Sequence, residues 1–132
     1  MTDLALKSNN CFYEIYNSET GAVDGGWQLD HQWNSVHDQT WLATGYIRMI
    51  FNNLFGMRFT PEGLTFNPDV ELLNEYGVEK LSNLRYLNGR LNITISGKGT
   101  KLAAVKVNGK TQSVKKPIAP ADGMTQIELI IK

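Results

Sequence analysis

The spacing of apolar residues changes at Gly56, and that change confines the chain to a mixed α+β architecture built from two unlike parts. Before it, one long segment from about Val36 to Phe55 places Trp41, Ala43, Tyr46, Ile47, Met49, Ile50, Phe51, Leu54 and Phe55 at helical spacing. Only a narrow polar strip of Thr40, Thr44, Arg48 and Asn52 remains, so the predicted helix needs cover on both sides. Ser35-Val-His-Asp38 supplies a serine and, three residues on, an acid, the pair that satisfies free N–H groups at a helix start. Gly56 suits the left-handed residue that ends a helix. A short helical stretch is also expected from Asp3 to about Ser8. Between the two helices, Tyr16 to Asn34 is rich in Gly, Asn, Ser and Asp and has no period, which predicts a long loop.

After Gly56, residues alternate or run apolar over Met57–Thr60, Gly63–Asn67, Lys80–Leu87, Arg90–Ser96, Lys101–Asn108, Thr111–Val114 and Thr125–Lys132. Pro61-Glu-Gly, Asn88-Gly, Gly97-Lys-Gly, Asn108-Gly and Asp122-Gly punctuate them. Asn88-Gly89 and Asn108-Gly109 each predict a two-residue hairpin, because Asn and Gly tolerate the positive φ such turns need. The expected organisation is therefore a helical hairpin with a Trp-rich loop over residues 1–56 and an antiparallel β-sandwich or jelly-roll-like domain over residues 57–132.

Charge and cysteine content exclude several function classes. The formal net charge is zero, yet residues 1–56 set Lys7 and Arg48 against Asp3, Glu14, Glu19, Asp24, Asp30 and Asp38, leaving −4, and residues 57–132 carry +4. Such a split fits two units that attract each other. The basic residues of the second half lack aromatic interleaving, so a nucleic-acid platform is not expected. No apolar run is long enough to span a bilayer, and Met1-Thr-Asp-Leu-Ala-Leu-Lys lacks the features of an export signal. A soluble chain of open localisation is expected. The single cysteine, Cys11, excludes an internal disulfide and reads as a buried small thiol beside Phe12. His31 and His37, six residues apart without a third fixed ligand, make a weak zinc pair, so no metal or other cofactor is expected.

The order of several segments carries more information than any one of them. Glu14-Ile-Tyr-Asn-Ser-Glu-Thr-Gly21, a tryptophan-rich loop, Gln39-Thr-Trp-Leu-Ala-Thr-Gly-Tyr46, Gly56-Met-Arg-Phe-Thr-Pro-Glu-Gly-Leu-Thr-Phe-Asn-Pro68 and Leu84-Arg-Tyr-Leu-Asn-Gly-Arg-Leu-Asn-Ile-Thr-Ile95 follow one another. This succession resembles the C-terminal end of six-hairpin (α/α barrel) glycosidases, which include trehalases, processing α-glucosidases, glycogen-debranching glucosidases and related sugar phosphorylases. The resemblance implies that Gly56–Pro68 is the junction between barrel and C-terminal β-domain and that Leu84–Ile95 is that domain's central hairpin. It also implies that Glu14 is a general base, by the Glu-x-Tyr-Asn-x-x-Thr-Gly pattern of the processing glucosidases. An inverting glycosidase needs such a carboxylate to activate water opposite the protonated leaving group. Phe12, Tyr13 and Tyr16 would desolvate and orient it. The loop between Gly21 and Trp41 is longer than in the processing-glucosidase pattern.

Trp27, Trp33 and Trp41 offer flat faces for pyranose rings, although Trp41 inside the helix reads more readily as core. Asp30, His31, His37, Asp38 and Gln39 offer partners for sugar hydroxyls. The resemblance places the general acid on an earlier barrel helix, so the 132 residues alone are expected to lack turnover. Three functions stay open on sequence: a C-terminal fragment of a glycoside hydrolase, a stand-alone carbohydrate-binding module, and a structural or oligomerisation domain. The partners expected are carbohydrate in the parent enzyme, and either the remaining barrel or a second copy against the helix 36–55. Neither nucleic acid nor membrane is among them.

Overall fold

The computed structural model describes residues 2–17, 19–28, 31–119 and 121–132. It is a mixed α+β chain that divides into two compact units, Met1–Met49 and Ile50–Lys132.

The second unit is organised by a five-stranded sheet. Its strands β5 (Lys80–Tyr86), β6 (Gly89–Gly97), β7 (Leu102–Val107), β8 (Lys110–Gln112) and β9 (Gly123–Ile131) stand in the order β5-β6-β9-β7-β8. The expectation of a mostly antiparallel sheet is met, with one departure: β6 and β9 run parallel, in unbroken register from Gly89 beside Gly123 to Gly97 beside Ile131. Strand alternation does what the sequence asks of it. Leu91 and Ile93 of β6, Val105 of β7, and Ile127 and Leu129 of β9 point to one buried face.

A separate hairpin, β3 (Met57–Thr60) and β4 (Gly63–Phe66), contributes Met57, Leu64 and Phe66 to the same core, joined by Phe55 and Ile118. Fully burying a side chain of this kind stabilises by about 1.5–3 kcal/mol, and six such side chains here are almost wholly excluded from solvent. On the opposite face, Glu128 of the central strand β9 accepts from Ser96 Oγ (2.7 Å) and Lys106 Nζ (2.9 Å), tying both neighbouring strands to the middle one. The serine hydrogen bond, then the lysine hydrogen bond, hold its carboxyl below the usual glutamate range.

A π-helical turn, Ile50–Leu54, opens this unit, and Phe55 N–H reaches back to Ile50 O at 3.0 Å. Gly56 then takes φ +59°, as its place after the helical run predicts, and a Cβ there would meet Asn67 O at 1.7 Å. A short helix α3 (Val70–Glu75), not foreseen from the sequence, follows β4; the Asp69 carboxylate caps it by accepting from Leu72 N.

The two Asn-Gly pairs behave differently. Asn108 and Gly109 form the β7–β8 turn with φ of +49° and +81°, as expected. Asn88-Gly89 is corrected by one residue: Tyr86 pairs with Gly89, so the turn is Leu87-Asn88, and Leu87 takes φ +50°. Gly89 is already in the strand, where a Cβ would meet Ala121 O at 2.1 Å, so its lack of a side chain serves close packing instead of the turn. The strand predicted at Thr111–Val114 also lies slightly earlier, at Lys110–Gln112.

The first unit holds helices α1 (Thr2–Lys7) and α2 (Thr40–Met49) and a hairpin of β1 (Asp24–Gln28) with β2 (His31–Asn34). That hairpin lies inside the stretch predicted as an irregular loop. Helix α2 starts at Thr40, not near Val36, because Ser35 is used elsewhere: its hydroxyl accepts from Ile15 N (2.9 Å) and donates to Ile15 O (2.8 Å). No residue of α2 is buried, and Trp41, expected in a core, is 60% exposed. No helix among the described residues is long and apolar enough to cross a membrane.

Candidate functional site

Backbone pairing builds the candidate site in the first unit. Glu14 N–H donates to Val36 O (2.8 Å) and Gln39 N–H donates to Phe12 O (2.9 Å), with the Ile15–Ser35 hydrogen bonds alongside. Residues 12–15 thus lie against residues 35–39, and the second of these segments, with Asp38 and Gln39, leads directly into α2. Of the predicted site residues, Asp38, Gln39 and Trp41 lie close together in sequence at the start of α2, and Glu14 has its backbone beside Val36. The side chains of Trp27, His31 and Trp33 lie outside what is described, as does Asp30 altogether.

The Asn-x-x-Thr-Gly part of the motif has a local structural job. Asn17 Oδ1 accepts from Glu19 N (2.9 Å) and Thr20 N (2.8 Å), Thr20 Oγ1 accepts from Ala22 N (3.2 Å), and Gly21 takes φ +71° while its N–H reaches Asn17 O. Asn and Thr here spend their side chains on closing a turn, as short polar residues do next to free backbone groups. The turn fixes where the chain leaves Glu14.

The aromatic residues expected around Glu14 make contacts with one another and with α2. Glu14 is half-buried. Tyr16 Oη accepts from Tyr13 N (3.0 Å), the Tyr13 and Tyr16 rings meet edge to face at 6.4 Å, and Phe12 instead packs on Tyr46 at 5.1 Å. At the start of α2, the exposed Trp41 donates its Nε1–H to Gln39 Oε1 at 2.6 Å, which fixes the indole beside an amide with a free face toward solvent.

One cluster escapes sequence reasoning. Cys11 is half-buried and not the inert core thiol expected beside Phe12: its Sγ lies 3.2 Å from Asp38 Oδ1 and accepts from Asp38 N at 3.1 Å. His37 Nδ1 lies 2.8 Å from Asp38 Oδ2, and the Tyr13 ring meets the imidazole edge to face at 6.2 Å. The hydrogen bond from His37, followed by that from the Cys11 thiol, holds the Asp38 carboxyl below the usual aspartate range. The histidine pair weighed from sequence was His31 with His37, whereas the structure joins His37 to Cys11 and Asp38.

In the second unit, an open cleft of about 540 Å³ beside α3 is lined by residues that include Asn74, Val78, Lys80, Thr94 and Lys98, none of them a predicted site residue. No protein-family model, curated protein or solved structure matches the chain.

Proposed function

We propose that this chain is the closing segment and accessory β-domain of a six-hairpin glycosidase, with Glu14 as the carboxylate that activates water. The observation that supports this reading is the pairing of residues 12–15 with residues 35–39, which holds the Glu14 backbone beside the segment that leads to Gln39 and Trp41. A general base needs such fixed placement, since an inverting glycosidase leaves room for one water between two carboxyl groups about 6.5–9.5 Å apart. The general acid would stand on a barrel helix outside these 132 residues. The solvent-facing apolar side chains of α2, Trp41, Ile47 and Met49, fit a helix covered by neighbouring barrel helices. On the same reading the β3–β4 hairpin is the start of a second layer over the five-stranded sheet, the sandwich-like domain that follows the barrel.

The nucleotide sequence upstream of the Met1 codon tests the proposal. In-frame helical hairpins bearing an acid are expected. In the enzyme they encode, Glu14→Gln should lower kcat by at least about 100-fold, the low end of what a general base supplies, with a small change in KM. The 132-residue chain itself should leave maltose, trehalose and kojibiose intact. Hydrolysis by this chain that Glu14→Gln abolishes would overturn the proposal, as would an upstream stop codon.

The exposed, hydrogen-bonded Trp41 supports a second reading, a carbohydrate-binding module in which the indole stacks on a sugar ring. Glycan-array binding by the isolated chain that disappears in Trp41→Ala would favour it.

A further inference from the structure

The structure points to a binding site for a thiophilic divalent transition-metal ion, Zn²⁺ foremost, formed by Cys11, His37 and Asp38. One donor atom from each residue lies within 4.8 Å of the others. In a tetrahedral zinc site with bonds of about 2.0–2.3 Å, donors stand roughly 3.3–3.6 Å apart. The two direct separations here, 3.2 Å from Cys11 Sγ to Asp38 Oδ1 and 2.8 Å from His37 Nδ1 to Asp38 Oδ2, need only small side-chain rotations to open around an ion.

The donor set matches the ion in charge and in kind. A thiolate, a carboxylate and a neutral imidazole together carry −2, which a divalent cation neutralises, and this mixture of soft and borderline ligands favours zinc over calcium or magnesium. Binding releases the thiol proton to solvent. His37 and Asp38 are largely exposed, which leaves the fourth position open to water.

Features around the donors also resemble the support that metal sites need. Asp38 stands at φ +57°, a conformation that Asp tolerates better than most residues and that turns its N–H onto Cys11 Sγ. That N–H would continue to stabilise a metal-bound thiolate. The Gln39 N–H to Phe12 O hydrogen bond fixes the two segments against each other, Cys11 N–H is held by Ser8 O, and the Tyr13 ring meets His37 edge to face. The site does not depend on the glycosidase reading, and sugar hydrolysis and metal binding report on the two separately.

Titration of the reduced, tag-free chain with Co²⁺ alone, followed by absorbance, tests the assignment. A one-to-one complex with a sulfur-to-cobalt charge-transfer band in the near ultraviolet is expected, and Zn²⁺ should displace it. Cys11→Ser should remove the band, and His37→Gln and Asp38→Asn should each weaken binding by at least about tenfold, the lower end of the cost of losing even an outer-shell partner. Absence of the band in the wild-type chain overturns the proposal. So does an unchanged affinity in both His37→Gln and Asp38→Asn, which would leave a thiol binding by itself. These two positions are exposed and their variants are expected to fold, as far-ultraviolet circular dichroism would show, so they decide the matter even if Cys11→Ser does not fold.

Discussion

The two units keep their shape by different means. In Ile50–Lys132, apolar side chains from β3, β4, β6, β7 and β9 close over one another, and Leu64, Ile93 and Leu129 are fully buried. In Met1–Met49, the buried residues among those described are Ala5 and Ser35, and one of the two is polar. The organisation of that unit rests largely on hydrogen bonds between backbone segments and short polar side chains, with Trp41, Ile47 and Met49 of α2 exposed and Tyr46 packed on Phe12. A unit with a core of its own can persist alone. The first unit instead leaves Trp41, Ile47 and Met49 of its longer helix in contact with solvent.

The contrast can be broken most forcefully in the core. Leu129→Ala should cost about 2–5 kcal/mol in the urea unfolding of the second unit, while amide signals of residues 12–22 stay in place. Loss of those signals together with the sheet would show that the units fold as one. The reciprocal experiment is smaller. Ser35→Ala removes the hydroxyl that serves both backbone groups of Ile15, at an expected cost of about 1–3 kcal/mol. Amide hydrogen exchange should accelerate at Glu14 and Ile15 and remain unchanged in β9. Unaltered exchange at Ile15 would mean that the pairing of residues 12–15 with 35–39 does not depend on this hydroxyl.

The smallest effect concerns pH and belongs to the sheet. Because the folded Glu128 carboxyl lies below its ordinary value, its contribution is complete above the ordinary glutamate pKa and is lost as pH falls through the lower, folded value. Glu128→Gln should therefore lower stability modestly at pH 7 and converge with the wild type in strong acid. Parallel curves at all pH values would show that the Ser96 and Lys106 hydrogen bonds carry no net charge-dependent stability.

Much of the second unit was legible because its signals are local. Alternation located the strands, and Asn108-Gly109 and Gly56 were read correctly because their backbone conformations exclude most other residues. Asn88-Gly89 misled because a glycine selected for closeness to Ala121 looks the same as one selected for a turn. Helix α3 does carry a local signal, Pro68 then Asp69, with the acid capping Val-Glu-Leu-Leu, but six residues are too few to show a helical period. The parallel pairing of β6 and β9 had no local signature, since nothing in either strand names its neighbour.

The first unit was harder to read because its contacts are distant and polar. Ser35 had the look of a helix cap, yet its hydroxyl serves a backbone segment 20 residues earlier. Cys11 and Asp38 are 27 positions apart, so their meeting depends on the intervening turn and hairpin. Glu14 was singled out through resemblance, and the structure adds the position of its backbone beside Val36.

The place of β9 has a consequence for how this polypeptide is made. It is synthesised after every other strand of its sheet but fills the slot between β6 and β7. Without it, β5–β6 and β7–β8 have no strand to join them, and the edges of β6 and β7 that it covers stay unpaired. The five-stranded sheet can therefore be completed only in a late step, once Gly123–Ile131 is available to pair with both.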